Sequence, residues 1–264
     1  FNRKKWHWWP SYGAISTRNL RGRPACLNLG PCNTGCPQGA KSSTDVTYIP
    51  KALTDGLVLI TEAAVSEVIV ESKKAVGVRY HDSDHKVHEI FGKQIILAAS
   101  AVGTPRIMLN SKSDDFPKGL GNSSGQVGRN LMLHPLGYVE GIFPDAMDTD
   151  IGPQGCLLYS LEHYRSADAK HKLGYMLHAL RGTGPVEAAV SAFKRRKLDF
   201  GSKLYEDFFA NYRKQLVITV ICEDIPDPEN RIMIDESQLD RFGVPGIKVS
   251  YKLHDNSKKM LSDG

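Results

Sequence analysis

The chain has 264 residues, 41% hydrophobic and 24% charged, a globular composition rather than a disordered or fibrous one. Lys and Arg number 34 against 29 Asp and Glu, a net charge of +5. No long basic run with interleaved aromatics accompanies that surplus, so nucleic acid is not an expected partner.

No apolar stretch approaches the roughly 20 residues of a bilayer-crossing helix, so no transmembrane segment is expected. Nor does a charged segment lead into an apolar one, as in a secretory signal. The chain opens on Phe1 and closes on Asp263-Gly264, and is expected to be a segment of something longer. Residues 1–28 are polar, basic and aromatic with little periodicity, and read as irregular chain. Trp6, Trp8 and Trp9 are expected to pack rather than to anchor a membrane.

Cys26–Ala40 holds three Cys, three Gly and two Pro, and reads as a loop. Thr44–Asp55 reads as a short helix or extended segment interrupted at Pro50. From Leu57 to Ala98 the pattern alternates. Val58–Ile60, Ala64–Val70, Ala75–Tyr80, His85–Phe91 and Gln94–Ala98 predict a β-meander, with turns at Ser72-Lys73-Lys74 and Asp82-Ser83-Asp84. Gln94–Ala98 is the most uniformly apolar run and is expected to be the most buried.

A helix is predicted over Thr104–Ser111 with Pro105 in its first turn, then a glycine-rich loop over Lys112–His134. Tyr138–Phe143 reads as a strand. Gly184–Tyr212 reads as helical segments, with Lys194-Arg195-Arg196-Lys197 on a solvated face. Leu216–Cys222, Asn230–Ile234 and Ile247–Leu253 read as strands of an α+β layer, the last two linked by Asp235–Pro245. Composition shifts near Pro135–Gly141, the expected domain boundary.

Five cysteines, three of them close together, do not suit a disulfide framework. Cys26, Cys32 and Cys36 stand as C-x5-C-x3-C on a loop that can turn back on itself, and soft sulfur ligands favour zinc or iron–sulfur. Structural zinc wants four ligands, and no fourth stands at a usual spacing. A three-iron cluster needs three. A disulfide plus one thiol is the remaining reading. Cys156 and Cys222 read as core residues.

In Ile95–Ser111 an apolar run enters the small residues Ala98–Ala101 and Gly103, then a helix. Such a strand end lets a planar ligand or phosphate approach the backbone, and equally suits a tight packing turn. No G-x-G-x-x-G occurs. His134 reads as a structural loop residue, and His81, His85 and His88 as hairpin residues rather than a metal site. Asn122-Ser123-Ser124 fits both a glycosylation pattern and a turn.

Together these segments resemble the glucose–methanol–choline (GMC) family of FAD-dependent oxidoreductases, most of all its gluconate and sugar dehydrogenase branch. Ser100–Ser111 (SAVGTPRIMLNS) is similar to the family's second signature, departing from it at Lys112-Ser113-Asp114. Gly121–Ser124, Val127–Met132 and His134-Pro135 are similar to the block that follows. Gly35-Cys36-Pro37 and Gly39–Thr44 are similar to the segment after the flavin-attachment loop. Pro226–Arg231 and Asp240–Pro245 are similar to the substrate domain.

The resemblance implies an α/β and α+β fold. Residues 1–136 would form part of a Rossmann-like FAD-binding domain, with the cysteine loop at 26–40 and the meander at 57–98. Residues 137–264 would form an incomplete substrate-binding domain with an antiparallel sheet. It implies FAD, met by the backbone of Val65 on the adenine side and by Ala99 and Ser100 at the flavin crevice. It also implies a three-iron–four-sulfur (3Fe-4S) cluster on Cys26, Cys32 and Cys36.

The implied reaction is oxidation of a sugar, sugar-acid or polyol CH–OH by hydride transfer to flavin, with electrons passed through the cluster to an external acceptor. Implied partners are a small subunit and a cytochrome c or quinone, at the periplasmic face of a membrane. The glycine fingerprint is expected upstream of Phe1 and the catalytic His beyond Gly264, so no catalytic residue is assigned within the chain. The alternatives are a cluster-free member of the family and a non-catalytic, metal-stabilised binding module.

Overall fold

The computed structural model describes residues 1–30, 32, 35–148, 151–153, 156–165, 170–180, 185–194 and 201–264. Apart from the backbone of Lys194, the basic run at 194–197 lies outside them. The strands are β1 (Trp9–Pro10), β2 (Ala64–Glu71), β3 (Lys74–His81), β4 (Val87–Phe91), β5 (Leu136–Ile142), β6 (Cys156–Ser160), β7 (Tyr175–Leu180), β8 (Gln215–Cys222), β9 (Arg231–Leu239) and β10 (Pro245–Ser250). The α-helices are α1 (Thr44–Thr47), α2 (Ile49–Thr54), α3 (Ser100–Asn110), α4 (Pro185–Lys194), α5 (Ser202–Asn211) and α6 (Asp255–Asp263). The class is mixed α and β with antiparallel sheets.

Two compact units form, each from discontinuous chain. One unit comprises Phe1–Leu57, His134–Glu223 and Asp255–Gly264. Its sheet has the order β1-β6-β7-β8-β5, with every pair antiparallel. Alternation along β7 divides the faces: Tyr175, Leu177 and Ala179 are buried, while Met176, His178 and Leu180 are half-buried. On the buried face Tyr175 and Leu177 lie opposite Cys222 and Val220. Helix α6 brings Met260 and Leu261 onto this cluster, and Phe1 and Trp6 join it. Trp6 also sets its edge against His163 at 4.8 Å, whereas Trp8 stays 40% exposed. Of the two expected core cysteines, Cys222 is fully buried, and burial pushes its thiol up to about 11. The side chain of Cys156 lies outside the description.

The other unit comprises Val58–Leu133 and Asp224–His254. It holds the meander β2-β3-β4 and the hairpin β9–β10, with α3 packed on β2, β9 and β10. The expected meander therefore has three of its five strands. Val58–Ile60 and Gln94–Ala98 are not strands, and Val58 and Ile96 are 80% and 85% exposed. A strand needs a neighbour for its N–H and C=O groups, and among the described residues none aligns with Gln94–Ala98.

Helix α3 also begins earlier than its sequence suggests, at Ser100, which places Pro105 inside the helix rather than in its first turn. The three strands expected in one layer divide, β8 joining the five-stranded sheet and β9–β10 forming a separate hairpin. Strand β9 runs on to Leu239, so the link to β10 shortens to Asp240–Val244. Gly128, at φ 82°, lies against β9, where an added Cβ would stand 2.4 Å from the Ile232 carbonyl oxygen.

The β2–β3 turn is Ser72-Lys73, both at positive φ (47° and 64°), as a two-residue hairpin turn matched to strand twist requires. Neither residue favours that region. Replacing the pair with Asn-Gly is expected to stabilise the protein by roughly 0.5–1 kcal/mol, read as a higher urea midpoint at unchanged slope.

Candidate functional site

The segment that joins the meander to α3 carries the first group of candidate residues. Ala99 and Ser100 are exposed at the helix start, Ser100 with φ 68°. The Ala99 N–H donates to the Thr104 hydroxyl at 3.0 Å. Gly103 is small for a packing reason, since a Cβ there would meet the Ala99 Cβ at 3.1 Å. Val65 opens β2 opposite Tyr80, beside a bulge, on the edge of its sheet, and is 36% exposed. All three residues belong to one unit and stand open to a ligand.

At its other end α3 is fastened to β2. Buried Ser111 donates to the Ile107 carbonyl at 2.6 Å and accepts the Val68 N–H at 2.8 Å. Along its length α3 is clamped to the β9–β10 link. Arg106 pairs with Asp240 at 2.7 Å and donates to the carbonyls of Val244 (3.1 Å) and Pro245 (3.0 Å). Burial raises the Asp240 carboxyl, but Arg106 and the N–H groups of Phe242 and Val244 outweigh it and hold the group below its usual range. His81 and His85 flank Phe242 at 5.1 and 5.0 Å, with Arg241 over the same ring at 4.6 Å. His88 instead meets Asp82 at 2.7 Å. Asn122 is buried, with its amide donating to Lys118 and accepting from Val127, so turn chemistry accounts for it.

The cysteine loop lies in the other unit. Cys26, Cys32 and Cys36 are half-buried and Cys222 is buried, and among the described residues no disulfide joins them. Residues 31, 33 and 34 of the loop lie outside the description. Gln38 pins Ala25 and Leu27 (2.6 and 3.3 Å), Arg23 reaches the carbonyls of Gly39 and Ala40 (3.1 and 2.8 Å), and Lys41 reaches that of Cys32 (2.8 Å). The backbone N–H groups of Lys41 and Gln38 are the main influences that lower the Cys36 thiol below its ordinary range. Among the described residues, however, no three His, Cys, Asp or Glu side chains are grouped to hold a metal ion.

One feature escapes the sequence reading. Register places Trp9, Tyr159, His178, Thr219 and Tyr138 directly opposite one another, one from each strand of the five-stranded sheet, hence on one face. Trp9 and Tyr159 rings stand 4.5 Å apart, and Tyr159 and His178 5.7 Å. Burial lowers the pKa of His178, keeping the ring neutral at neutral pH. Among the described residues the Thr219 hydroxyl is buried without a hydrogen-bond partner. Alternation in Tyr175–Leu180 was the available signal, but only pairing reveals the row.

The fold is similar to that of pyridoxine 4-oxidase from Mesorbium loti, with a TM-score of 0.53 at 14% identity, over 86% of this chain and 43% of that one. Residues 12–136 match the family model described as GMC oxidoreductase, and that part of the chain is similar to the family. It is 31% identical to 2-methyl-1,2-propanediol dehydrogenase of Mycolicibacterium austroafricanum, over 98% of this chain and 48% of the relative. It is 28% identical to the fructose dehydrogenase large subunit of Gluconobacter japonicus, over 93% and 45%. The chain thus spans about half the length of these relatives. Among the described residues no helix is long and apolar enough to cross a membrane.

Replacing Arg106 with Ala is expected to cost about 1–3 kcal/mol, with Lys restoring only part, measured by denaturant unfolding. Because the folded pKa of Asp240 is depressed, its stabilisation is present above the unfolded value of about 3.9 and is lost as pH falls through the folded value. Asp240→Asn should remove that acid-limb dependence from a stability–pH profile.

Proposed function

We propose that this chain is part of an FAD-dependent oxidoreductase that oxidises the CH–OH group of a sugar, sugar acid or polyol. The observation that carries the reading is the 31% identity to a diol dehydrogenase along 98% of the chain. Flavin, when bound, accepts the hydride that leaves the substrate carbon. Ala99 and Ser100 fit its crevice because they are small, exposed and at the start of a helix. Val65, exposed on an edge strand, offers its backbone to the adenine side. Residues 1–136 are assigned to the flavin-binding domain and 137–264 to the substrate-binding domain, each part running through both compact units.

The aromatic row on the five-stranded sheet supports a polyhydroxylated substrate. Rings of Trp9, Tyr159 and Tyr138 offer flat apolar faces, while the half-buried His178 offers a hydrogen bond. These residues orient substrate; proton abstraction is assigned to none of them.

The assignment of Cys26, Cys32 and Cys36 to a 3Fe-4S cluster, with a small subunit and a cytochrome c or quinone as acceptor chain, is the finer part of the proposal. Its support is the three cysteines on one tied loop, with the Cys36 thiolate favoured by backbone N–H groups. A cluster-free enzyme is the second reading, favoured because among the described residues no three His, Cys, Asp or Glu side chains are grouped to hold a metal ion. Paromamine 6'-oxidase of Streptomyces fradiae, an oxidase by name, is also similar, at 26% identity over 92% of this chain and 42% of the relative.

Anaerobic addition of sugars and polyols to the purified flavin-loaded protein should bleach its flavin absorbance; a protein that binds no flavin refutes the reading. Cys32→Ser should abolish iron binding while flavin reduction persists. Iron content unchanged in that variant refutes the cluster assignment.

A further inference from the structure

In the unit built from the meander and the β9–β10 hairpin, a cavity of about 260 Å³ opens beside the C-terminal end of α3. Its lining includes the apolar Leu109, Val127 and Ile232 together with Lys112, Lys118, Arg129 and Arg231. Four cations line it and no acid does. The acids that answer them stand outside the lining and are 72% and 74% exposed: Glu229 meets Arg129 at 3.3 Å and Arg231 at 3.5 Å, and Glu236 meets Lys112 at 3.0 Å. Four cations against two carboxylates leave a surplus of two positive charges. Lys118 has no ion pair among the described residues.

Two further observations point to a ligand rather than a solvated patch. Among the described residues the Arg231 Nε is buried with no hydrogen-bond partner, while its Nη2 meets the exposed Glu229 at a long 3.5 Å, so the outer nitrogens of this guanidinium are weakly held. Arg129, by contrast, is oriented by the carbonyls of Gly125 (3.0 Å) and Pro228 (3.1 Å), which hold a charged fork in place beside the cavity. Arginine forks with flexible lysines beside apolar side chains form a receptor for a tetrahedral oxyanion. The volume is below the roughly 300–1,000 Å³ of sites for drug-sized molecules.

We propose that this cavity binds a phosphoryl group, either free phosphate or the anionic head of a small phosphate monoester. Arg129 and Arg231 grip its oxygens, and Lys112 and Lys118 neutralise its charge. The site lies at the opposite end of α3 from Ala99 and Ser100 and is independent of the flavin reading.

The test is a calorimetric titration of the intact protein with inorganic phosphate, and separately with phenyl phosphate, each against chloride at equal ionic strength. Saturable heat with either phosphate and none with chloride is expected. Tighter phosphate marks a free-ion site, and tighter phenyl phosphate the head of a larger ligand. The exposed pair Lys112→Ala/Lys118→Ala should weaken binding by about tenfold or more, with an unchanged circular dichroism spectrum, and Arg231→Gln should do the same. Equal responses to phosphate and chloride, or wild-type affinity in the folded lysine double variant, overturn the proposal.

Discussion

Irregular backbone must find donors for its carbonyl oxygens, and in this chain arginine guanidinium groups supply many of them. Arg106 binds the carbonyls of Val244 and Pro245 together with Asp240. Arg23 binds those of Gly39 and Ala40 with the Ser42 hydroxyl. Arg129 binds those of Gly125 and Pro228 with Glu229. In each case one planar fork ties together stretches of backbone distant from the arginine in sequence. The position of α3 on the β9–β10 hairpin, the shape of the cysteine loop and the course of the loop at 125–131 all rest on this device. Lysine, with a rotatable point charge, does not hold several fixed acceptors in the same way.

That device explains why separate blocks of sequence similarity belong together. Ser100–Ser111 and Asp240–Pro245 lie more than a hundred positions apart, yet Arg106 of the first and Asp240 of the second form one clamp. Position 106 reads locally as a helical residue after a proline. Its charge partner is set by tertiary contact alone. The same holds for Ser111, whose hydroxyl closes the end of α3 and satisfies a β2 amide in one stroke.

What was legible in the residues was local. Alternation disclosed β2, β3 and β4, because those strands pair with sequence neighbours across short turns. Turn chemistry disclosed the Asp82 loop, where the carboxylate takes the N–H groups of Asp84 and Lys86 at 2.9 Å each. Apolar content misled at Gln94–Ala98, since burial there needs a neighbouring strand and hydrophobicity does not provide one. Strands β6 and β7 escaped because their pairing reaches forward to β8 and back to β1, and a five-residue run has little periodicity of its own. The candidate residues divide likewise. The cysteines and small residues announce themselves by type, whereas the row Trp9, Tyr159, His178, Thr219 and Tyr138 exists only through register.

Satisfaction of polar groups also separates architecture from recognition. Asp240 accepts from Arg106, Phe242 and Val244, so its charge is consumed inside the fold. Arg106 and Arg23 are used up in the same way. Arg231 and Thr219 are different: each buries a polar atom that nothing among the described residues meets. A buried, unmet donor is costly to keep unless an occupant meets it. Both residues sit among side chains suited to a solute, cations around Arg231 and aromatic rings around Thr219. The groups the fold has fully paired hold the structure in place, and the accessible cations and rings around the two unpaired atoms are where a ligand has something to gain.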